Sequence, residues 1–225
     1  LIAVMVHAAR GDQVILEECS HIAWSEGWGM ASIAGVYPRL VRGTRGQIGL
    51  ADAAAAIDET RFTHMPHTAL VCLENTHNAS GGSVLPPAYT DEMCAAMHAR
   101  GIAVHLDGSR IFNAAAALGM PPRRLTERFD SVAISLNKGL SAPDGALLCG
   151  SEAFVRQASR LAKTLGGNSQ HKAELIAAAA LAALDEMPEA IARDHRRARA
   201  FASMLQRIPG VRVDLDAVRT NIVMA

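Results

Sequence analysis

The chain has 225 residues, half of them hydrophobic, enough to bury a core as one large domain or as one domain and the start of another; this composition excludes a disordered segment. Lys plus Arg and Asp plus Glu each number 22, with no block of like charge, so there is no basic footprint for nucleic acid or an anionic membrane, and a small molecule is the expected partner. No apolar run approaches the roughly 20 residues of a membrane span, residues 1–8 lack the pattern of a signal peptide, and four widely spaced cysteines suit buried thiols in a cytoplasmic protein.

The chain opens inside an apolar helical pattern (Leu1, Val4, Met5, Ala8) and closes on residues 221–225, which read as an unfinished strand; both ends are expected to be cuts through a longer protein. Gly11 and Asp12 end the first helix, and residues 13–16 form an apolar run of strand length. Residues 68–73 are a second such run, followed by polar residues 74–78 and a turn at Gly81 and Gly82. Residues 90–100 read as a helix with Thr90 as N-cap, Met93, Ala96 and Met97 on one face, and Gly101 as its stop. Residues 102–106 are a third strand ending at Asp107, residues 111–118 a helix, and residues 131–136 a fourth strand ending at Asn137, Lys138 and Gly139.

This alternation predicts an α/β fold: three layers, with a mostly parallel sheet covered by helices on both faces. Polar residues gather where strands end, which is where open α/β sheets bind ligands. Beyond it, residues 151–165 and 171–187 read as helices, the second apolar on all sides over 176–184 and therefore buried. Pro188 is expected to start a separate helix ending before Pro209, and residues 211–225 alternate like a hairpin.

The sequence lacks G-x-G-x-x-G, a Walker loop, G-x-S-x-G and H-E-x-x-H, so nicotinamide binding, NTP hydrolysis, serine hydrolysis and zinc proteolysis have no signature, and no metal is expected. Asp107 follows five residues that are apolar except for His105. By itself it reads equally as a helix cap, and Lys138 by itself as a solvated lysine. Together, an acid and an amine at two strand ends could face each other across a planar heteroaromatic ring. Pyridoxal phosphate requires such a pair: a carboxylate to keep the pyridine nitrogen protonated, and an amine to hold the aldehyde.

The segments SHI (20–22), LENTHNASGG (73–82), HLDGSRIFNA (105–114), SLNKGLSAP (135–143) and KTLGG (163–167) resemble, in order, blocks of the low-specificity L-threonine aldolases, within the β-eliminating lyase group. The resemblance implies the aspartate-aminotransferase-like large domain of fold-type I pyridoxal-phosphate enzymes over residues 1–187. Residues 188–225 would be a linking helix and the start of a small C-terminal domain. It implies retro-aldol cleavage of L-threonine and related β-hydroxy-α-amino acids to glycine and an aldehyde. Lys138 would be the Schiff-base lysine, Asp107 the partner of the pyridine nitrogen, and His21 would lie against the ring. Arg110 would grip the substrate carboxylate, Lys163 would stand near it, and His77 or a bound water would take the β-hydroxyl proton. A homodimer or homotetramer with shared active sites is implied as well.

Departures from the family pattern are Asn137, Ser141 and Asp144 around the lysine, and Gln170 where an arginine is usual. They keep open another reaction on the same cofactor (β-elimination, racemisation or transamination) or a catalytically inactive homologue.

Overall fold

Five strands that lie parallel, and a sixth that does not, make the central sheet of the computed structural model, which describes residues 1–57, 64–168 and 171–225. In chain order the elements begin with α1 (Ile2–His7), β1 (Gln13–Glu17), the one-turn helices α2 (His21–Trp24) and α3 (Gly29–Ser32), and β2 (Tyr37–Val41). A small hairpin of β3 (Gly43–Thr44) and β4 (Gln47–Ile48) leads to α4 (Leu50–Ala56), β5 (Thr68–Glu74) and α5 (Pro87–His98). Next come β6 (Ala103–Asp107), α6 (Ile111–Leu118), α7 (Pro122–Thr126), β7 (Ser131–Ser135), β8 (Ala146–Gly150), α8 (Glu152–Thr164) and α9 (Ala173–Leu205).

The sheet order is β2-β1-β5-β6-β7-β8. All neighbours are parallel except β8, which runs antiparallel to β7. Every residue of β1 and β5 is buried, because a central parallel strand is covered on both faces and so reads as a continuous apolar run. On one face Val14, Leu16, Leu70 and Cys72 pack against Val4 of α1, Ala23 of α2 and Met30 of α3. On the other, Ile15, Val71, Leu73, Val104 and Leu106 pack against Met93, Met97 and Ile111 of α5 and α6. The predicted three-layer α/β architecture is therefore observed.

Four local expectations are corrected. The helix expected from Thr90 starts at Pro87, where the missing N–H is no loss, and the Thr90 hydroxyl instead donates to Pro87 O at 3.1 Å. Pro188 starts no new helix: α9 runs through it for 33 residues. Ala180 and Ala183 on one side of the proline and Ile191 on the other pack into the same cluster with Leu136 and Leu140, and this packing outweighs one lost backbone hydrogen bond. The apolar run 176–184 is not buried all round, since Leu181 is exposed while Ala180 and Ala183 face the core. Residues 211–225 form turns instead of a hairpin, their apolar residues Val213 and Val218 packing on Ala202 at the end of α9. Cys72 and Cys94 are buried as expected, whereas Cys19 and Cys149 are exposed; all four are free thiols. Among the described residues no helix is long and apolar enough to cross a membrane.

Candidate active site

Parallel strands end on one side, so β1, β5 and β6 deliver three carboxylates, those of Glu17, Glu74 and Asp107, to a single rim of the sheet. Glu74 and Asp107 are register partners, and Asn75 N donates to Asp107 O at 2.9 Å. Glu74 is buried and both its oxygens are taken: Oε2 accepts from His21 N and Oε1 from Asn78 N, each at 2.7 Å. Burial pushes the Glu74 carboxyl above its ordinary range, against the pull of His77 and of those two N–H donors. Asp107 is buried too, and its Oδ1 accepts from Ser109 N at 3.1 Å and Ser109 Oγ at 2.7 Å, closing an Asx turn and not capping α6. Among the described residues its Oδ2 accepts no hydrogen bond.

Lys138 follows β7, the neighbour of β6, and is half-buried. Its bend is held from below: Leu136, Leu140 and Ala142 are buried against Ala180, Ala183 and Ile191 of α9 and against Phe112 of α6. Its carbonyl accepts from Ser141 N at 2.9 Å. Gly139 lies directly on Asn113, where a Cβ would stand 2.6 Å from Asn113 Oδ1. Asn113 Nδ2 reaches His195 Nε2 at 3.0 Å and Asn221 Oδ1 at 3.2 Å, while its own Oδ1 is buried with no partner. Arg110 is the N-cap residue of α6 and half-buried, one turn before Asn113. The fold thus brings Asp107, Arg110 and the Lys138 bend around the start of α6.

His21 opens α2 beside the same rim, its backbone N on Glu74 and its Nε2 3.2 Å from Glu26 Oε1. His77 is enclosed, with 0% of its surface exposed. Its Nδ1 shares a hydrogen bond with Ser80 Oγ at 2.8 Å, and its Nε2 lies 3.1 Å from Glu17 Oε2 and 3.9 Å from Glu74 Oε2. The approach to Glu17 is an ion-pair distance without the alignment of a hydrogen bond. Gly46, at φ +82°, covers the ring so closely that a Cβ there would be 2.5 Å from His77 Cγ. Glu17 is a site residue the sequence reading missed; like Asp107, it is an acid ending an apolar strand, which was the available signal.

Lys163 stands elsewhere, exposed in the last turn of α8, a helix that packs on α1 and β8. Gln170 lies outside the described residues. The departures Asn137 and Asp144 are exposed and bonded locally, Ser135 Oγ lying 2.6 Å from Asn137 Oδ1 and Gly145 N donating to Asp144 Oδ1 at 2.7 Å. An open cleft of about 1170 Å³, lined by Gln13, Tyr37, Arg39 and His67 among others, is at the opposite end of the sheet, where β1 and β2 begin. Its size does not make it the site, because the strand-end acids and the amine converge on the carboxyl rim. Among the described residues no cluster of His, Cys, Asp and Glu is arranged to hold a metal ion.

The donor set fits a protonated heteroaromatic ring bearing an aldehyde. Neither Asp107 Oδ2 nor Lys138 Nζ is committed to a hydrogen bond or ion pair among the described residues, and the two belong to adjacent strand ends.

The family model for beta-eliminating lyases matches residues 1–225. The chain is 41% identical over 226 residues to low-specificity L-threonine aldolase 1 of Arabidopsis thaliana, covering 99% of this chain and 63% of that protein. It is 33% identical over 206 residues to the low specificity L-threonine aldolase of Escherichia coli (strain K12), covering 92% and 61% respectively. The chain therefore spans less than two thirds of the length of these curated relatives. Among solved structures, the threonine aldolase of Leishmania major superposes with a TM-score of 0.80 at 21% identity, over 94% of this chain and 62% of that one. A cystathionine gamma lyase of Micromonospora echinospora superposes with a TM-score of 0.70 at 19% identity, over 100% and 57%. These two likenesses establish the fold.

Proposed function

The chain belongs to the beta-eliminating lyase family, and from that membership we propose that the protein is a pyridoxal-phosphate-dependent lyase. Its reaction is the cleavage of L-threonine and related β-hydroxy-α-amino acids to glycine and an aldehyde. The observation that carries this reading is the pair of uncommitted groups, Asp107 Oδ2 and Lys138 Nζ, at adjacent strand ends. Similarity to the low-specificity L-threonine aldolases supports the choice of substrate.

When bound, pyridoxal phosphate supplies a sink for the electron pair released at the substrate α-carbon. The chain supplies the rest. Asp107 holds a proton on the ring nitrogen, and Lys138 secures the aldehyde carbon through its amine. Arg110 binds the substrate carboxylate with two parallel N–H donors, and His21 covers the ring; Lys163, exposed on α8, takes no part. His77 draws the β-hydroxyl proton; enclosed as it is, it acts through a bound water. The protein works as a homodimer or homotetramer in the cytoplasm.

The test uses the purified full-length protein. A visible absorption band that borohydride bleaches, absent in Lys138→Ala, and release of glycine and acetaldehyde from threonine are expected. Keto acid and ammonia from the same substrate would assign a different reaction on the same cofactor. A colourless protein unaltered by added cofactor would refute the reading.

A further inference from the structure

A polar chain beneath Asp107 has no part in the reaction just described. His105 lies two residues earlier on β6, so its side chain projects from the same face of the sheet as that of Asp107, and it is buried. Its Nδ1 is 2.8 Å from Ser131 Oγ on β7. The same oxygen is 2.8 Å from Nε2 of His7, a half-buried residue at the end of α1 whose ring stacks on Phe154 of α8. The titratable groups around this chain are Asp107 on the same strand, Cys72 opposite on β5, Asp130 before β7, and His7 on α1. Burial holds His105 down to about 4, against the opposing pull of Asp107, and burial also lowers His7, against the pull of Asp130.

The hydroxyl of Ser131 carries one proton, so it can donate to only one of the two imidazoles and must accept from the other. A charged His7 has a proton on Nε2 and must donate it to Ser131. Ser131 then donates to His105 Nδ1, and the single proton of a neutral His105 is confined to Nε2. With His7 neutral, the chain can run in either direction.

We propose that His105 is a positioning residue for Asp107, and that His7, acting through Ser131, selects the tautomer in which His105 presents that acid with its charge distribution. His105 Nε2 is a fixed donor while His7 is charged and is released when His7 is neutral. The role toward Asp107 rests on the proposed lyase reading; the relay itself does not.

Nitrogen-15 NMR of histidine-labelled full-length protein, free of cofactor, reads the relay directly. As pH falls below 6.5, the neutral His105 that remains should shift towards the Nε2–H tautomer in step with protonation of His7. His7→Phe, which keeps a ring against Phe154, and Ser131→Ala should abolish this response, and Ser131→Thr, which keeps the hydroxyl, should retain it. In the cofactor-loaded protein the pH midpoint of the visible band should shift in His7→Phe and Ser131→Ala and return in Ser131→Thr. A tautomer of His105 indifferent to His7, or one protonated on Nδ1 while His7 is charged, overturns the relay. An intact relay with an unmoved absorption midpoint overturns the role toward Asp107. Failure to load any cofactor overturns the lyase reading and the Asp107 role with it, while the NMR titration still decides the relay.

Discussion

Glu74 and Asp107 stand side by side across the β5–β6 register, yet their carboxylates are spent differently. Both oxygens of Glu74 are occupied by the backbone N–H groups of His21 and Asn78, so it fastens α2 and the loop after β5 to the rim. Asp107 is tied through one oxygen to Ser109, and among the described residues its other oxygen accepts no hydrogen bond. One acid fastens the rim, and the other is the one the proposed reaction would use.

Glu74 makes folding depend on pH with a definite sign. Its carboxyl titrates above 4.5 in the folded protein, mainly because of burial. Between 4.5 and that raised value the folded state binds more protons than the unfolded one. Its contribution is therefore complete below 4.5 and is lost as pH rises through the folded value. Urea denaturation from pH 4.5 to neutrality should show a smaller fall in stability with rising pH in Glu74→Gln than in the parent protein.

His105 contributes the opposite slope. Burial depresses it from 6.5 to about 4, so the unfolded chain binds more protons across that interval. The stability it permits is complete above 6.5 and declines as pH falls towards 4. His105→Asn should flatten the acid side of the stability profile, and subtracting each variant from the parent separates the two residues.

Gly46→Ala meets two penalties at once. A side chain at φ +82° costs about 1–2 kcal/mol, and its Cβ would press into the His77 ring at 2.5 Å, an overpacking cost of about 1–3 kcal/mol. A loss of about 2–5 kcal/mol in denaturant unfolding is expected, with the largest chemical-shift changes at His77 and Ser80.

Gly139→Ala should act on the amine bend without touching the amine. The added methyl would stand 2.6 Å from Asn113 Oδ1, and relieving that contact displaces residues 138–140. We expect about 1–3 kcal/mol of destabilisation and reduced cofactor occupancy, measured by absorbance of the reconstituted protein, with Lys138 still present.

The sequence reading captured the buried middle of the sheet and missed its edges, for a physical reason. Strands β1, β5, β6 and β7 are covered by neighbours, so their residues must be apolar in succession and the run is visible. The edge strand β2 carries Pro38 and Arg39 and shows no apolar run, whereas β8 does carry one, Ala146 to Cys149, which lies mostly exposed at the other edge and was passed over. Asp107 and Lys138 were legible because each ends such a run. The enclosure of His77 was not, because Glu17 and Gly46 are distant in sequence and only the fold brings them to His77 and its neighbour Glu74. Pro188 misled for a related reason: its local preference for a helix start yields to packing on both sides that no local window contains.

Asn113 ties two parts of the molecule with one amide, the long helix at His195 and the stretch at Asn221, and packs directly against the glycine beside Lys138. Loss of the Asn221 contact would leave the amide pinned through His195 alone, with the Gly139 bend packed against a looser side chain.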